Sequence, residues 1–311
     1  MMKKVVILIP CYNEELTIAT VINNFKKELP NASIYVYDNN STDRTAEIAH
    51  NNGAIVKREY RQGKGNVIRS MFREIEADIY VMVDGDDTYP SECITSMILP
   101  VEMGSADMVV GDRHSNGTYA QQNKRYFHNI GNHLVKIIIN KLFNSSLKDI
   151  MSGYRVFNRT FVKSIPILSS GFQVETEMTL HALDKRFLIK EISIEYRDRP
   201  EGSYSKLNTI KDGIKVIKTI FWVFKDFKPL LFFTVLSLML FVIGIIIGIP
   251  VINEFMTNHF ILKIPSAILA TGLIILSTLS FTCGLILNTT VKQHRENYEI
   301  MLNFFCNRYD A

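Results

Sequence analysis

The stretch VMVDGDDTYP ends an apolar run in three nearby carboxylates, Asp84, Asp86 and Asp87. A β-branched apolar run is typical of a buried strand, and carboxylates gathered at its end attract a cation. A calcium loop of the EF-hand type requires glycine at its sixth position and glutamate at its twelfth, where this sequence has Tyr89 and Thr95. A helix N-cap before PSEC would account for only one aspartate. The pattern favours a divalent cation, Mg²⁺ or Mn²⁺, that joins one or two carboxylates to a substrate phosphate.

The stretch YRQGKGNVIR places Lys64 between two glycines. It is similar to a phosphate-binding loop, but it lacks the G-x-x-x-x-G-K-[ST] spacing and the third glycine of a dinucleotide fingerprint. These departures argue against ATP hydrolysis and NAD binding. Lys64 either reaches a nucleotide phosphate or a carboxylate, or is an ordinary solvated lysine.

Strand-like and helix-like segments alternate from residue 3 to about residue 113, which predicts an α/β fold with a mainly parallel sheet and helices on both faces. In such sheets ligands bind beyond the carboxyl ends of the strands, where Asp38 and Asp84 lie. The predicted strands are VVILIP, SIYVYD, AIVKRE, IYVMVD and DMVVGD, with a later one near LIKEISIEY. The predicted helices are NEELTIATVINNFKKEL, STDRTAEIAHNN, GKGNVIRSMFREI, PSECITSMILPVEM and KRYFHNIGNHLVKIIINKLF.

Two uncharged runs, residues 230–252 and 264–287, are each long enough to cross a hydrocarbon layer of about 30 Å as a helix. The linker between them carries one lysine, whereas basic residues flank the pair on its outer sides at Lys218, Lys225, Lys228, Lys292 and Arg295. This bias predicts a hairpin in the cell membrane with both termini in the cytoplasm. The segment before the first run has a basic and an apolar helical face, which indicates a helix in the membrane interface or one packed on the preceding domain.

The predicted organisation is a cytoplasmic domain over residues 1–207, an amphipathic interfacial helix over 208–228, a transmembrane hairpin over 229–291 and a cytoplasmic tail over 292–311. The net charge of +4 is mild and gives no indication of nucleic-acid binding. The four cysteines lie far apart without a CxxC pair, which argues against zinc and against a disulfide framework. A reducing compartment fits this cysteine usage.

Eight motifs in order, PCYNEE, DNNSTDRT, GKGNVIR, VDGDDTYP, VVGDR, DIMSGYRVFNR, FQVETEMTLHAL and RPEGSYSKL, resemble the family 2 glycosyltransferases that load a sugar onto polyprenyl phosphate. These are the dolichyl-phosphate mannose synthases and the bactoprenol glucosyltransferases, and the similarity runs over residues 5–207. The two apolar runs resemble the bacterial glucosyltransferase branch. The resemblance implies the GT-A (Rossmann-like) form of the α/β fold.

The resemblance also implies a donor site. Nucleotide-sugar binding falls to Pro10, Tyr12, Glu14, Asp38, Lys64 and Asp84, with the first three at the base and Asp38 at the base or ribose. Asp86 would hold the metal on the diphosphate, with Thr88 standing where relatives often place glutamine as a second ligand. Gly85 replaces the alanine usual between the two aspartates, a change expected to be harmless.

For the acceptor, the resemblance implies phosphate binding by Arg113, Arg125, Asn129, Arg199, Ser203 and Lys206. Arginine suits phosphate because its planar fork donates two parallel hydrogen bonds. The predicted catalytic residues are Asp84, Asp86, Arg113 and Asp149. Asp149 either orients the acceptor or acts as a base, or it forms an internal salt bridge that braces the acceptor loop. A base is scarcely needed, since a phosphate monoester is already anionic near neutral pH.

The expected activity is inverting, metal-dependent transfer of a sugar from UDP-glucose or UDP-N-acetylglucosamine to undecaprenyl phosphate at the cytoplasmic membrane face. A GDP-mannose-dependent synthase and a transferase acting on a lipid hydroxyl are the alternatives. A processive polysaccharide synthase is disfavoured because the motif Q-x-x-R-W is missing, and a non-catalytic sugar-nucleotide sensor because the carboxylates are retained. The sequence leaves the oligomeric state open, a homo-oligomer included.

Overall fold

The structure is a computed structural model that describes residues 3–115, 126–171, 173–197, 218 and 221–307, with the backbone alone for residues 126–130, 132 and 305–307. Its strands are β1 Val5–Cys11, β2 Ser33–Asp38, β3 Ile55–Arg58, β4 Ile79–Met82, β5 Met108–Asp112, β6 Arg155–Asn158 and β7 Ile189–Ser193. Its helices are α1 Ile18–Glu28, α2 Thr45–Asn51, α3 Lys64–Glu74, α4 Ile94–Glu102, α5 Tyr126–Phe143, α6 Arg159–Ser164, α7 Val174–Asp184, α8 Pro229–Asn258 and α9 Ile264–Asn307.

The seven strands form one sheet in the order β3-β2-β1-β4-β6-β5-β7. All neighbouring pairs are parallel except those of β6, which runs antiparallel to both β4 and β5. The predicted α/β fold with a mainly parallel sheet is therefore confirmed. Strand β6 lies within a segment that the sequence marked only as a motif, because its residues RVFN begin and end with polar side chains and form no apolar run.

Side chains alternate along β1 and feed two hydrophobic cores, one on each face of the sheet. Ile7 and Ile9 pack with helices α1, α2 and α4, whereas Val6 and Leu8 pack with α3, α6 and α7. All four of these side chains are fully buried. Burial of each contributes about 1.5–3 kcal/mol, so this central strand anchors both helical layers. The predicted cover of helices on both faces is confirmed.

Helices α8 and α9 belong to a second compact unit, which the chain enters at residue 214. They contain 30 and 44 residues and are both long and apolar enough to span a membrane. The Ser237 and Ser277 hydroxyl oxygens lie 3.0 Å apart between them, and a Cβ on Gly244 would meet Ile274 at 3.1 Å, so the two helices pack closely as an antiparallel pair. Both extend beyond the predicted spans. Most of the predicted interfacial helix lies outside the described residues, although residues 221–227 are helical.

Candidate active site

The candidate site lies where the strands end at the carboxyl edge of the sheet. The parallel strands β1, β2, β4 and β5 deliver their last residues to this edge. Strand β6 begins there because it runs the other way, with Arg155 paired to Met82 of β4 and to Val110 of β5. The antiparallel strand therefore brings residues 149–153 beside the carboxylates that follow β4.

The loops after β1 and β2 are hydrogen-bonded to each other at one side of this edge. The backbone N–H groups of Asn13 and Glu14 donate to the Ser41 and Thr45 hydroxyls at 2.9 and 2.8 Å. The Asn13 side chain accepts in return from the backbone N–H of Thr42 at 2.8 Å. Asn13 can form both hydrogen bonds because its φ is 54°, in the left-handed region that asparagine tolerates. The motifs CYNEE and DNNSTDRT thus form one wall.

This wall carries the predicted nucleotide residues. Pro10 pairs with Tyr37 between the two strands, and Asp38 ends β2. Asp38 is buried, and its Oδ1 accepts from the backbone N–H of Ser41 at 3.1 Å. Tyr12, by contrast, is 36% exposed and is accessible for stacking.

Asp86 and Thr88 are both buried just beyond β4. The Thr88 hydroxyl donates to Asp86 Oδ1 at 2.7 Å and so orients that carboxylate. Between the two aspartates, a Cβ on Gly85 would lie 2.8 Å from the Cys11 sulfur. Glycine at this position is therefore matched to the buried cysteine, a packing reason that the sequence alone did not show.

Asp84 forms an ion pair that the sequence left open. Lys64 Nζ lies 2.5 Å from Asp84 Oδ1 and 2.6 Å from Glu175 Oε1. Burial lowers the pKa of Lys64, but the two carboxylates outweigh it and hold the pKa above its ordinary value. The other Asp84 oxygen faces Gly153, where a Cβ would approach it to 2.5 Å. Lys64 therefore reaches a carboxylate and is not a solvated lysine.

The glycines beside Lys64 have a packing role. A Cβ on Gly65 would lie 1.9 Å from the carbonyl oxygen of Ser169, and a Cβ on Gly63 would lie 2.1 Å from that of Ser170. The Gly65 N–H donates to Ser170 O at 3.1 Å. Glu177 holds this segment by accepting from the backbone N–H groups of residues 168 and 169. The GKG motif is thus a site of close backbone approach. From α7, Glu175 pairs with Lys64 of this motif, and Glu177 holds the segment that packs against its glycines.

Arg113 and Asp149 form a bidentate ion pair. Arg113 Nε and Nη2 donate to the two Asp149 oxygens at 2.7 and 3.0 Å. Burial raises the pKa of Asp149, but the charge and hydrogen bonds of Arg113 outweigh it and lower the pKa to about 2. The Arg113 guanidinium also lies over the Tyr196 ring, 5.7 Å from its centroid. Asp149 therefore forms its ion pair with Arg113, a residue outside its own motif, and a role of Asp149 towards the acceptor stays a prediction.

Tyr89 connects the two ion pairs. Its hydroxyl accepts from the Gly153 N–H at 2.9 Å and lies 3.5 Å from Arg113 Nη1. Arg155 supports the segment of residues 150–153 from the protein interior. It is fully buried and donates to the carbonyls of Ser152 and Ile150 at 2.9 and 2.8 Å. Arg155 thus holds the backbone of the motif in place. Sequence reasoning missed Tyr89, Gly153 and this role of Arg155, and the Gly-Tyr-Arg run of residues 153–155 was a signal for the last two only.

Several predicted acceptor residues cannot be placed. Arg125, Arg199, Ser203 and Lys206 lie outside the described residues, and Asn129 is described only by its backbone in α5. Their role in binding the acceptor phosphate stays a prediction.

The donor set at the end of β4 fits a divalent cation. Mg²⁺ and Mn²⁺ commonly take one or two carboxylates and complete their shell with phosphate and water oxygens. Asp86 is buried and oriented by Thr88, as a ligand of this kind needs to be. No cluster of three or more acidic, histidine or cysteine side chains with metal-binding geometry occurs among the described residues. The carboxylate of Asp86 is thus the side chain at this edge whose chemistry fits a divalent cation.

Comparison with known proteins gives the family. Residues 6–165 match the model of glycosyl transferase family 2. Glycosyltransferase AglJ from Haloferax volcanii is 34% identical over 233 residues, covering 74% of this chain and 75% of AglJ. The dolichyl-phosphate hexose transferase of the same organism is 26% identical over 209 residues, covering 67% of this chain and 89% of that protein.

The fold has a solved counterpart. Glucosyl-3-phosphoglycerate synthase from Mycobacterium tuberculosis, crystallised with Mn²⁺ and UDP-glucose, matches with a TM-score of 0.57 and 20% identity, covering 72% of this chain and 78% of that one. The strand order, the shared fold and the family match together show that the chain belongs to glycosyl transferase family 2, as a GT-A glycosyltransferase related to the enzymes of the polyprenyl-phosphate type.

Proposed function

We propose that the protein transfers a sugar from a nucleotide sugar, UDP-glucose or UDP-N-acetylglucosamine, to undecaprenyl phosphate at the cytoplasmic face of the membrane. The observation that carries this proposal is the pairing of opposite charges at one sheet edge. Asp84 and Asp86 follow β4, and Arg113 follows β5, with Lys64 bound to Asp84 at 2.5 Å. Such a site can hold a cation with a diphosphate and a second phosphorylated ligand together.

On the donor side, Pro10, Tyr12, Glu14 and Asp38 contact the nucleoside, and Asp84 contacts the sugar and ribose. Asp86, whose carboxylate is oriented by the hydroxyl of Thr88, would hold the divalent cation. The cation, when bound, stabilises negative charge on the departing diphosphate. That the structural neighbour was crystallised with Mn²⁺ and UDP-glucose supports this assignment, because the shared fold accommodates that pair.

On the acceptor side, an oxygen of the lipid phosphate attacks the anomeric carbon while the bond from that carbon to the diphosphate breaks. The single displacement inverts the anomeric centre and releases the nucleoside diphosphate. Arg113 contacts the reacting phosphate, and Arg125, Asn129, Arg199, Ser203 and Lys206 complete the acceptor site.

The state of Asp149 favours a phosphate acceptor over a lipid hydroxyl. A hydroxyl acceptor requires a base with a pKa nearer to neutral, whereas Arg113 keeps the pKa of Asp149 at about 2. A phosphate monoester needs no such base, since its second pKa is about 6. Asp149 is therefore a positioning residue that aims Arg113.

The two apolar helices support a lipid acceptor, because an undecaprenyl tail stays in the bilayer while its phosphate lies at the surface. In the proposed arrangement residues 1–207 form the cytoplasmic domain, residues 208–228 lie in the interface, residues 229–291 form the hairpin and residues 292–311 return to the cytoplasm. The similarity to a dolichyl-phosphate hexose transferase agrees with a polyprenyl phosphate as the acceptor.

The test is a transfer assay with membranes that contain the protein. Radiolabelled UDP-glucose, UDP-N-acetylglucosamine and GDP-mannose are each offered with undecaprenyl phosphate, with Mn²⁺ or with EDTA. We expect label from a UDP-sugar in an acidic lipid product, lost with EDTA and with Asp86→Asn. The control is Glu102→Gln, an exposed carboxylate on α4. Label from GDP-mannose alone, or label in an uncharged lipid, would contradict the proposal.

A further inference from the structure

A cavity of about 270 Å³ lies on the α3 face of the sheet, between α3, α6 and the segment that follows α6. Three basic residues line it, Arg69 and Arg73 from α3 and Lys163 from α6, together with Phe72 and apolar side chains of residues 162–168. No acidic residue lines the cavity within the described part of the chain. The cationic wall is therefore that of α3 with its two arginines, and the apolar wall is that of residues 162–168, which is apolar except for Lys163.

The charges of this cavity differ in how they are used. Lys163 Nζ donates to the carbonyls of Phe72 and Ile75, both at 2.7 Å, and pairs with Glu76 at 2.9 Å. Arg69 and Arg73 have no hydrogen bond or ion pair to any residue that the structure describes. Arg69, which is half-buried, and Arg73, which is exposed, thus line the cavity one helical turn apart on the same face of α3.

The cavity is separate from the site at the sheet edge. Lys64 begins α3, and Arg69 and Arg73 follow five and nine residues later, which places them about 7.5 and 13.5 Å farther along the helix axis. A volume of about 270 Å³ lies below the range of about 300–1,000 Å³ usual for drug-sized ligands. It suits a compact anionic group and a short apolar extension, and it is too small for a nucleotide sugar.

We propose that this cavity is a second anion-binding site that takes a phosphate group through Arg69 and Arg73. Paired guanidinium groups are the preferred protein partners of phosphate oxygens because they donate several directed hydrogen bonds. The apolar wall and the 77% exposed Leu168 at its rim would accept the glycerol and first acyl carbons of an anionic phospholipid. The phosphate comes either from such a headgroup or from a soluble anion.

The cavity lies next to the segment that packs against Lys64, so a bound ligand would affect that segment. Its apolar wall continues directly into Ser169 and Ser170, whose carbonyls approach the glycines beside Lys64. Its cationic wall is the helix that Lys64 begins. A phosphate bound between the two walls therefore braces the segment that holds Lys64 against Asp84.

The test measures binding on the full chain in detergent micelles, with Arg69→Gln/Arg73→Gln as the variant and Lys27→Gln/Lys141→Gln as a control. The control removes the same charge from two exposed lysines outside the cavity. One arm titrates inorganic phosphate at constant ionic strength and follows the melting temperature. The other arm counts bound phosphatidylglycerol and phosphatidylcholine by native mass spectrometry.

We expect wild type and control to bind a phosphate probe alike and the variant to bind it at least tenfold more weakly, because the variant lacks both guanidinium groups that donate charged hydrogen bonds to the phosphate. Stronger retention of phosphatidylglycerol than of inorganic phosphate identifies the lipid as the source, and the reverse order identifies a soluble anion. Arg73→Gln alone serves if the double variant fails to fold. Equal binding by variant and wild type, or no binding of either probe to wild type, overturns the proposal. The readout does not depend on transfer activity, so it is independent of the proposed function.

Discussion

The ion pair between Arg113 and Asp149 makes a quantitative prediction about stability and pH. Arg113 lowers the pKa of the buried Asp149 carboxyl from its ordinary value of 3.8 to about 2, against the opposing effect of burial. At 1.36 kcal/mol per pH unit, the ionised carboxylate stabilises the folded domain by about 2.5 kcal/mol at pH 7. Because the folded-state pKa is the lower one, this stability is present above pH 5, falls to about half near pH 3 and is lost below pH 2.

Asp149→Asn is therefore expected to reduce the free energy of unfolding by about 2.5 kcal/mol at pH 7 and by progressively less as the pH falls towards 3. The assay is urea unfolding of the full chain in detergent micelles, followed by pulse proteolysis at several pH values. Glu102→Gln is the control, since its side chain is exposed on α4. A difference between wild type and Asp149→Asn that does not change with pH would refute the assignment of the pKa to this ion pair.

The same variant separates a positioning role from a base. If Asp149 only aims Arg113, transfer falls by up to about a hundredfold, as expected when a reacting group is misplaced by about 1 Å, and the shape of the pH–rate profile is retained. If Asp149 is the base, transfer is abolished and the acid limb of the profile disappears. The second result would contradict our interpretation and would favour a hydroxyl acceptor.

Three further substitutions test the site. Lys64→Met removes the shared partner of the partly buried Asp84 and the buried Glu175 and is expected to reduce the free energy of unfolding by about 3–5 kcal/mol at pH 7; a loss below about 1 kcal/mol would argue against the ion-pair network. Thr88→Val removes the hydroxyl that orients Asp86 and is expected to raise the Mn²⁺ concentration for half-maximal transfer rate by about tenfold or more. Thr88→Ser keeps a hydroxyl and should keep this concentration near that of wild type. Gly153→Ala is expected to abolish transfer by pushing the carboxylate of Asp84 aside, while Gly171→Ala, where a Cβ meets nothing within 4 Å, should leave the rate unchanged.

Local patterns in the sequence predicted most of the strands and the residues that follow them. The apolar runs before Asp38 and Asp84 predicted strands ending at the same edge, and the sheet pairs β2 and β4 on either side of β1 as parallel strands. Such runs can be read from sequence because burial on both faces of a parallel sheet requires continuous apolar residues. The two long apolar helices were equally readable, since their length and lack of charge are local properties.

The strand order around β6 could not be read in this way. Its residues RVFN form no apolar run, and nothing in their pattern says that they insert antiparallel between β4 and β5. That insertion places Gly153 against Asp84 and the segment of Asp149 beside Arg113. The role of Gly153 is invisible in the sequence because a glycine does not reveal which atom occupies the space of its missing side chain.

The residue types able to bind a cation, a diphosphate and a phosphate were determined by the sequence itself, as were the strands that carry them to one edge. The tertiary structure alone decided the partners: Lys64 bridges Asp84 and Glu175, and Arg113 binds Asp149 from 36 positions away in the chain. Periodicity reports the conformation of a segment and the side it buries, whereas an ion pair depends on which distant segments the sheet brings within about 3 Å of each other.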